Sequence, residues 1–153
     1  MKIDSNNLPV MEMFYSLQGE GYHSGSAAFF IRIAGCNVGC HWCDVKESWD
    51  HGDHEIISVD EIISNVIGTN LVIITGGEPL MWNMNILTKK LKENKMKVHL
   101  ETSGAYKISG KWDWICLSPK KMQLPLKTIK PLANDNYFYS RFSFIADYIE
   151  RVF

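Results

Sequence analysis

A chain of 153 residues, 46% apolar and 22% charged, is long enough to bury one hydrophobic core and short enough to be a single domain. Its 16 basic and 17 acidic residues leave a net charge of −1, which excludes the broad basic surface that nucleic acid or an anionic membrane demands. The longest apolar runs, 27–31 and 71–74, are far too short to span a bilayer, and the first seven residues hold no signal-peptide core. A cytoplasmic location is expected, where four cysteines serve as thiols or metal ligands rather than as disulfides.

Along the chain, apolar residues 11–15 lead into a polar, glycine-bearing loop, Ser16-Leu17-Gln18-Gly19-Glu20-Gly21. A buried strand is predicted at 28–34, ending at Gly35 just before a cysteine-rich loop. Residues 59–67 carry apolar side chains at helical spacing behind Ser58, a suitable N-cap. A β-rich run at 71–75 is stopped by Gly76-Gly77-Glu78-Pro79. An amphipathic helix is predicted at 84–94, a strand at 96–101 and a short apolar strand at 112–117, the last containing Cys116, which reads as a small buried hydrophobe. Strands alternating with helices imply an α/β fold of parallel βαβ units, in a sheet covered by helices. Residues 1–120 form this core. Residues 121–153 are a divergent tail of the same domain, with a proline-bearing connector at 122–136 and an amphipathic terminal helix at 137–153.

Each predicted strand ends in residues that can do chemistry: the cysteine loop, then Thr75-Gly76-Gly77-Glu78, then Glu101-Thr102-Ser103-Gly104, then Ser118-Pro119-Lys120. In parallel α/β folds the C-terminal edge of the sheet is where ligands bind, so one shared site is expected there. Glycine, serine and proline also punctuate ordinary loops, but that does not explain Glu78 and Glu101 recurring at the same topological place.

Cys36, Cys40 and Cys43 have the spacing Cys-x3-Cys-x2-Cys. A structural zinc site wants four closed ligands, here with His41 or His51 as the fourth, whereas an iron–sulfur cube on three thiolates keeps one iron free. The spacing departs from the paired Cys-x2-Cys of zinc ribbons and favours the cube. Alternation puts Arg32 on the face of Phe30 and Ala34, where an unpartnered charge costs several kcal/mol. Its partner is either a ligand carboxylate, gripped bidentately, or an inward Asp or Glu. His23, His51, His54 and His99 read as surface or core residues, and Lys89, Lys90, Lys92, Lys95 and Lys97 as a solvated face.

In order, these motifs resemble the 7-carboxy-7-deazaguanine synthases of the radical S-adenosylmethionine superfamily, over about residues 8–120. The resemblance implies a partial, open β/α barrel with parallel strands. It implies a 4Fe-4S cluster on Cys36, Cys40 and Cys43, with S-adenosylmethionine at the open iron. Trp42, Asp44, Gly76, Gly77, Glu78, Ser103, Ser118, Pro119 and Lys120 would bind the cofactors, with Trp42 near the adenine and Gly76, Gly77 and Glu78 at the methionine amino end. Leu17, Gln18, Gly19 and Thr75 would contact a pterin, and Arg32 its carboxylate, which tips Arg32 towards the ligand. The implied reaction converts 6-carboxy-5,6,7,8-tetrahydropterin to 7-carboxy-7-deazaguanine with loss of ammonia, in queuosine biosynthesis. A homodimer and a reductant such as flavodoxin or ferredoxin go with it, with no nucleic-acid or membrane partner.

Two departures stand out. Val45 occupies a position where a hydroxyl side chain commonly helps to bind Mg²⁺, which places the magnesium requirement in question. Beyond Lys120 the strands that close the family's partial barrel are not found, so the barrel is expected to be truncated on its C-terminal side. Two other functions fit parts of the pattern: an activase that makes a glycyl radical on a partner protein, and a cluster-binding remnant without turnover.

Overall fold

The computed structural model describes residues 2–120, and the predicted tail and its terminal helix lie outside the described residues. Six strands form one sheet: β1 (Asn7–Leu17), β2 (Ala27–Ile33), β3 (Glu55–Ser58), β4 (Leu71–Gly76), β5 (Lys97–Thr102) and β6 (Trp114–Leu117), in the order β3-β1-β2-β4-β5-β6. From β2 onwards the pairing β2-β4-β5-β6 is parallel, as the alternating pattern predicts. Two helices, α1 (Val59–Asn65) and α2 (Asn85–Glu93), supply crossovers. Among the described residues the sheet is open, with β3 and β6 at its edges.

The expectation of parallel strands throughout needs correcting at the N-terminal side. β1 is the longest strand, and it pairs antiparallel with both β2 and β3. Its second half carries the exposed Glu12, Tyr15, Ser16 and Leu17, so the continuous apolar signal of a doubly covered strand is missing. The Ser16–Leu17 start of the predicted loop is in fact the end of this strand. β3, four residues long, gave no sequence signal. β6 begins only at Trp114, because the Trp112 indole turns back to donate to the Ser109 carbonyl at 2.8 Å.

Helix α1 starts where its cap is. The Ser58 hydroxyl accepts from the Glu61 N–H at 3.2 Å, and Val59 and Ile62 turn into the core. Helix α2 buries Leu87, Thr88 and Leu91 at the spacing of one helical face, while Lys89 and Lys90 meet Glu93 and Asp60 at the surface. These helices cover the face bearing Phe29, Ile31, Ile33, Val72, Ile74, Val98 and Leu100, which forms the main core. On the other, concave face only Ala28, Phe30, Leu71 and Ile73 cluster, with Phe14 packed against them. The charged and polar residues of alternate parity, Arg32, Thr75, His99 and Glu101, belong to this second face.

His99 is nearly fully buried there. Burial, with the neighbouring His23 imidazole next in weight, pushes its pKa down from 6.5 to about 4; Asp113 opposes this, while Lys97 and Lys92 reinforce it. The unfolded chain therefore takes up this proton near pH 6.5 and the folded chain only near 4. Stability attributable to His99 is complete above pH 6.5 and is lost as the pH falls towards 4, by about 2–3 kcal/mol. Urea unfolding followed between about pH 7 and 4.5 should show this loss, and His99→Gln should flatten the slope. Equal slopes in the two proteins would refute it.

Candidate functional site

The cysteine loop leaves β2 at Gly35 and is pinned on both sides. The Gly35 N–H donates to the Ser48 carbonyl at 2.7 Å and the Cys36 N–H to that of Trp49 at 3.1 Å. Trp82 donates its indole N–H to the Ala34 carbonyl at 2.8 Å and lies so close to Gly35 that a Cβ there would be 2.9 Å from the ring. Within the loop Cys43 N–H turns back to the Cys40 carbonyl at 3.0 Å, and Tyr106 donates its hydroxyl to Asn37 at 2.5 Å. Cys40 is buried, and Cys36 and Cys43 are half-buried.

Burial pushes the Cys36 thiol pKa up, backbone N–H groups of Val38 and Gly39 pull it down, and the nearby Glu78 and Cys40 add to the rise. Three soft sulfur donors on one loop, one already receiving backbone N–H groups, suit an iron–sulfur cluster. Among the described residues no three Cys, His, Asp or Glu side chains converge on a single-ion site. A cube asks for something different, since each thiolate binds a separate iron.

The β4 end is threaded against this loop. The Gly77 N–H donates to the Ile33 carbonyl and the Glu78 N–H to that of Gly35, both at 2.9 Å. Neither glycine tolerates a side chain: a Cβ on Gly76 would sit 2.4 Å from the Ile33 oxygen, and one on Gly77 would sit 2.5 Å from the Gly35 oxygen. Glu78 is 1% exposed, and its carboxylate is filled from within the chain. One oxygen accepts from Leu80 N–H and the Thr102 hydroxyl (3.1 and 2.6 Å), the other from the N–H and hydroxyl of Ser103 (2.8 and 2.5 Å). These four donors match the roughly four lone-pair sites of a carboxylate. Thr102 was not singled out by sequence; its place beside Ser103 at a strand end was the available signal.

Ser118 donates its N–H to the Thr102 carbonyl at 2.9 Å, and Lys120 reaches the Ser118 hydroxyl at 2.6 Å. The Ser118-Pro119-Lys120 end thus borders the same edge. Trp42 is half-exposed with the His41 ring edge-on at 4.4 Å, and Asp44 is exposed beside Cys43. Val45 is half-buried, and its carbonyl accepts from the Ser48 hydroxyl at 2.6 Å.

Below this edge the concave face holds a cavity of about 240 Å³. Leu17, Gln18, Gly19, Arg32 and Thr75, the five residues assigned to a substrate, all line it, beside the stacked rings of Phe14 and Phe30, whose centres lie 5.3 Å apart. Glu101 lines it too and was given no role by the sequence. Its carboxylate accepts from the Gln18 amide and the Thr75 hydroxyl, both at 2.7 Å, so it ties β1, β4 and β5 together. Thr75 and Glu101 precede the Gly76–Gly77 and Thr102–Ser103 segments directly. Each strand gives one residue to the cavity and the next to the cofactor edge.

Of the two partners open to Arg32, the structure shows the acidic side chain. A bulge in β1 between Val10 and Glu12 brings Glu12 opposite Arg32, and the two form an ion pair at 2.9 Å. The pair employs Nη1, the guanidinium lies 5.5 Å from the Phe14 ring centre, and the side chain is one-third exposed on the cavity. Cys116 is corrected: it is half-buried on the concave face, with its thiol pKa raised by burial and then by Glu101 and Glu20.

The sequence profile of the radical SAM superfamily matches residues 30–116. The 7-carboxy-7-deazaguanine synthase of Flavobacterium psychrophilum is 54% identical over 129 residues, covering 84% of this chain and 61% of that protein. That of Synechocystis sp. is 50% identical over 129 residues, covering 83% and 62%. The crystal structure of QueE from Escherichia coli superposes with a TM-score of 0.70 at 32% identity, over 74% of this chain and 60% of that one. The chain spans about three fifths of the length of these relatives.

Proposed function

The chain belongs to the radical SAM superfamily, and on that premise we propose that it converts 6-carboxy-5,6,7,8-tetrahydropterin to 7-carboxy-7-deazaguanine with loss of ammonia. The observation that carries this reading is that one cavity is lined by Leu17, Gln18, Gly19, Arg32 and Thr75 together, with Glu101 bonded to two of them. Its stacked Phe14–Phe30 pair offers an apolar aromatic surface to a heterocycle, its carboxylate suits the N–H edge of a pyrimidine ring, and its guanidinium suits a carboxylate substituent.

Cys36, Cys40 and Cys43 would hold a 4Fe-4S cluster and leave one iron for S-adenosylmethionine. When bound, and given an electron from an external reductant, these groups would supply the reductive cleavage that generates a hydrogen-abstracting radical. The chain's residues do the rest. Gly76 and Gly77 let backbone approach the cofactor edge without a side chain in the way. Glu78, filled by its own four donors, holds Ser103 and Thr102 in place around that edge. Thr75 and Glu101 set the heterocycle directly below it. Holding the reacting carbon at a fixed place, away from water, is the protein's share of radical chemistry.

Trp42 against adenine, Ser118, Pro119 and Lys120 along the cofactor, a homodimer, a flavodoxin or ferredoxin as reductant and a cytoplasmic location complete the reading. With no hydroxyl at Val45, magnesium would fall to the Asp44 carboxylate, backbone carbonyls or the substrate itself.

The test is an anaerobic turnover of the reconstituted chain with reductant, S-adenosylmethionine and 6-carboxytetrahydropterin, read by mass spectrometry. Deazaguanine carboxylate together with 5′-deoxyadenosine is expected; deoxyadenosine without it refutes the substrate. Arg32→Ala should weaken binding of the carboxylated pterin about 10- to 100-fold, because a charge-assisted bond is lost and Glu12 is left facing the same carboxylate. Binding of a pterin without the carboxylate should change little. Equal losses for both ligands would remove Arg32 from the carboxylate.

A further inference from the structure

The loop between β1 and β2 does something that a hairpin loop need not do. Its base is closed by Gln18 N–H to the Ser26 carbonyl at 2.8 Å and Gly25 N–H to the Gln18 carbonyl at 2.7 Å. The rest of it leaves the β1–β2 edge and reaches β5 and β6, although β4 stands between β2 and β5 in the sheet. It can do so only by folding across the concave face. Tyr22 stacks on Trp114, with ring centres 5.3 Å apart and planes 28° from parallel. His23 stands edge-on to the same indole at 4.7 Å and packs on the His99 ring at 4.6 Å. Trp114 and His99 are register partners on β6 and β5, so the two rings of the loop meet two rings of the sheet.

One layer further along the same strands lie Glu101 and Cys116. Gly21 passes over the thiol so closely that a Cβ there would be 3.3 Å from it, and its φ of +67° suits glycine. Gln18, which bonds to Glu101, therefore belongs to a segment anchored at both ends: by the β1–β2 ladder on one side and by the ring cluster on the other. A small pocket between loop and sheet joins the two regions, lined by Gln18, Glu101, His23, His99 and Trp114 among others. Tyr22 is 82% exposed, far more than core formation would leave it. Its contact with Trp114 makes sense as a fastening of the loop.

We propose that Tyr22, His23 and Trp114 are positioning residues for the heterocyclic substrate: the ring clasp sets the loop that presents Gln18 and Gly19 to the cavity, and so fixes how tightly a pterin-like carboxylic acid is held. This rests on the substrate reading above. The clasp acts through Gln18, touches no ligand itself and lies away from the cysteine loop. Its loss should weaken substrate binding and leave the cluster alone.

The experiment uses the full chain, reconstituted with iron and sulfide under anaerobic conditions. The oxidised analogue 6-carboxypterin is titrated by the change in its own fluorescence, while iron content is followed in parallel. Trp114→Ala should raise the dissociation constant about tenfold at unchanged iron content. Trp114→Phe, which keeps an aromatic face, should stay within about twofold of the parent. Gln18→Ala should itself weaken binding, and adding Trp114→Ala to it should cost little more, because both changes remove one contact. Should Trp114→Ala fail to fold, Tyr22→Ala removes only an exposed ring and is expected to raise the constant at least about threefold. If Gln18→Ala weakens binding and Trp114→Ala or Tyr22→Ala does not, or if the double variant is fully additive, the clasp is overturned and the substrate site stands. If Gln18→Ala and Arg32→Ala both bind like the parent, the substrate reading falls and takes the clasp with it.

Discussion

Replacing any one of Cys36, Cys40 and Cys43 by serine should leave a protein that folds but neither retains a full complement of iron nor turns over, with activity down by about a thousandfold or more. The reason is ligand arithmetic. Three thiolates leave one iron of a cube free for a small molecule; two leave the cube itself without a stable seat. The fold should survive because the loop hangs from Gly35, Cys36 and Trp82 by backbone and indole hydrogen bonds that the sulfurs do not make. Cys116→Ser is the control, since that thiol lies on β6 beside Glu101 and should not alter iron content. Iron and sulfide per chain, with visible absorption, check the outcome. A closed zinc site predicts a different one: zinc in the parent chain, lost as well on whichever of His41→Ala and His51→Ala removes the fourth ligand. Two histidine variants that keep their iron would settle that alternative.

What sequence patterning disclosed followed burial. β2 and β4 are largely apolar on both faces and β5 carries Val98 and Leu100 on its helix-covered face, so their extents were legible to within a residue, and the residues just after them marked the binding edge. β1 was not legible because half of it faces solvent. Glu12 illustrates this: only the bulge after Val10 puts it opposite Arg32, and a bulge has no local signature here. Glu101 was visible as a recurring carboxylate at a strand end, yet its bonds to Gln18 and Thr75 span 83 and 26 positions of sequence. The ring clasp was invisible for the same reason. Tyr22 and His23 have no periodicity, and Trp114 and His99 sit in strands whose facing loop cannot be deduced from either. Contacts of long sequence separation depend on how the loop crosses the sheet, and composition does not encode that crossing.

Gly76→Ala should unfold more easily than any other glycine change at the site, by about 3 kcal/mol or more. Two penalties act together. At φ +117° an L side chain is strained, at a cost of about 1–3 kcal/mol. The added Cβ would also lie 2.4 and 2.6 Å from the Ile33 oxygen and nitrogen, which are backbone atoms and cannot swing aside, so β2 and β4 must part, at a further cost of about 1–3 kcal/mol. The sum is a large share of the 5–15 kcal/mol that holds a typical domain together. The damage falls where β2 delivers Arg32 to the cavity and, three residues on, Gly35 to the cysteine loop, and where Gly77 N–H bonds to the same Ile33 carbonyl. Slower cluster loading should therefore accompany the loss of stability. Gly19→Ala is the comparison: nothing lies within 4 Å of its added Cβ, and its denaturation midpoint should match the parent. Urea unfolding of the two variants decides the matter. If Gly76→Ala is as stable as Gly19→Ala, the β2–β4 junction can open without cost, and close backbone approach is not what this glycine provides.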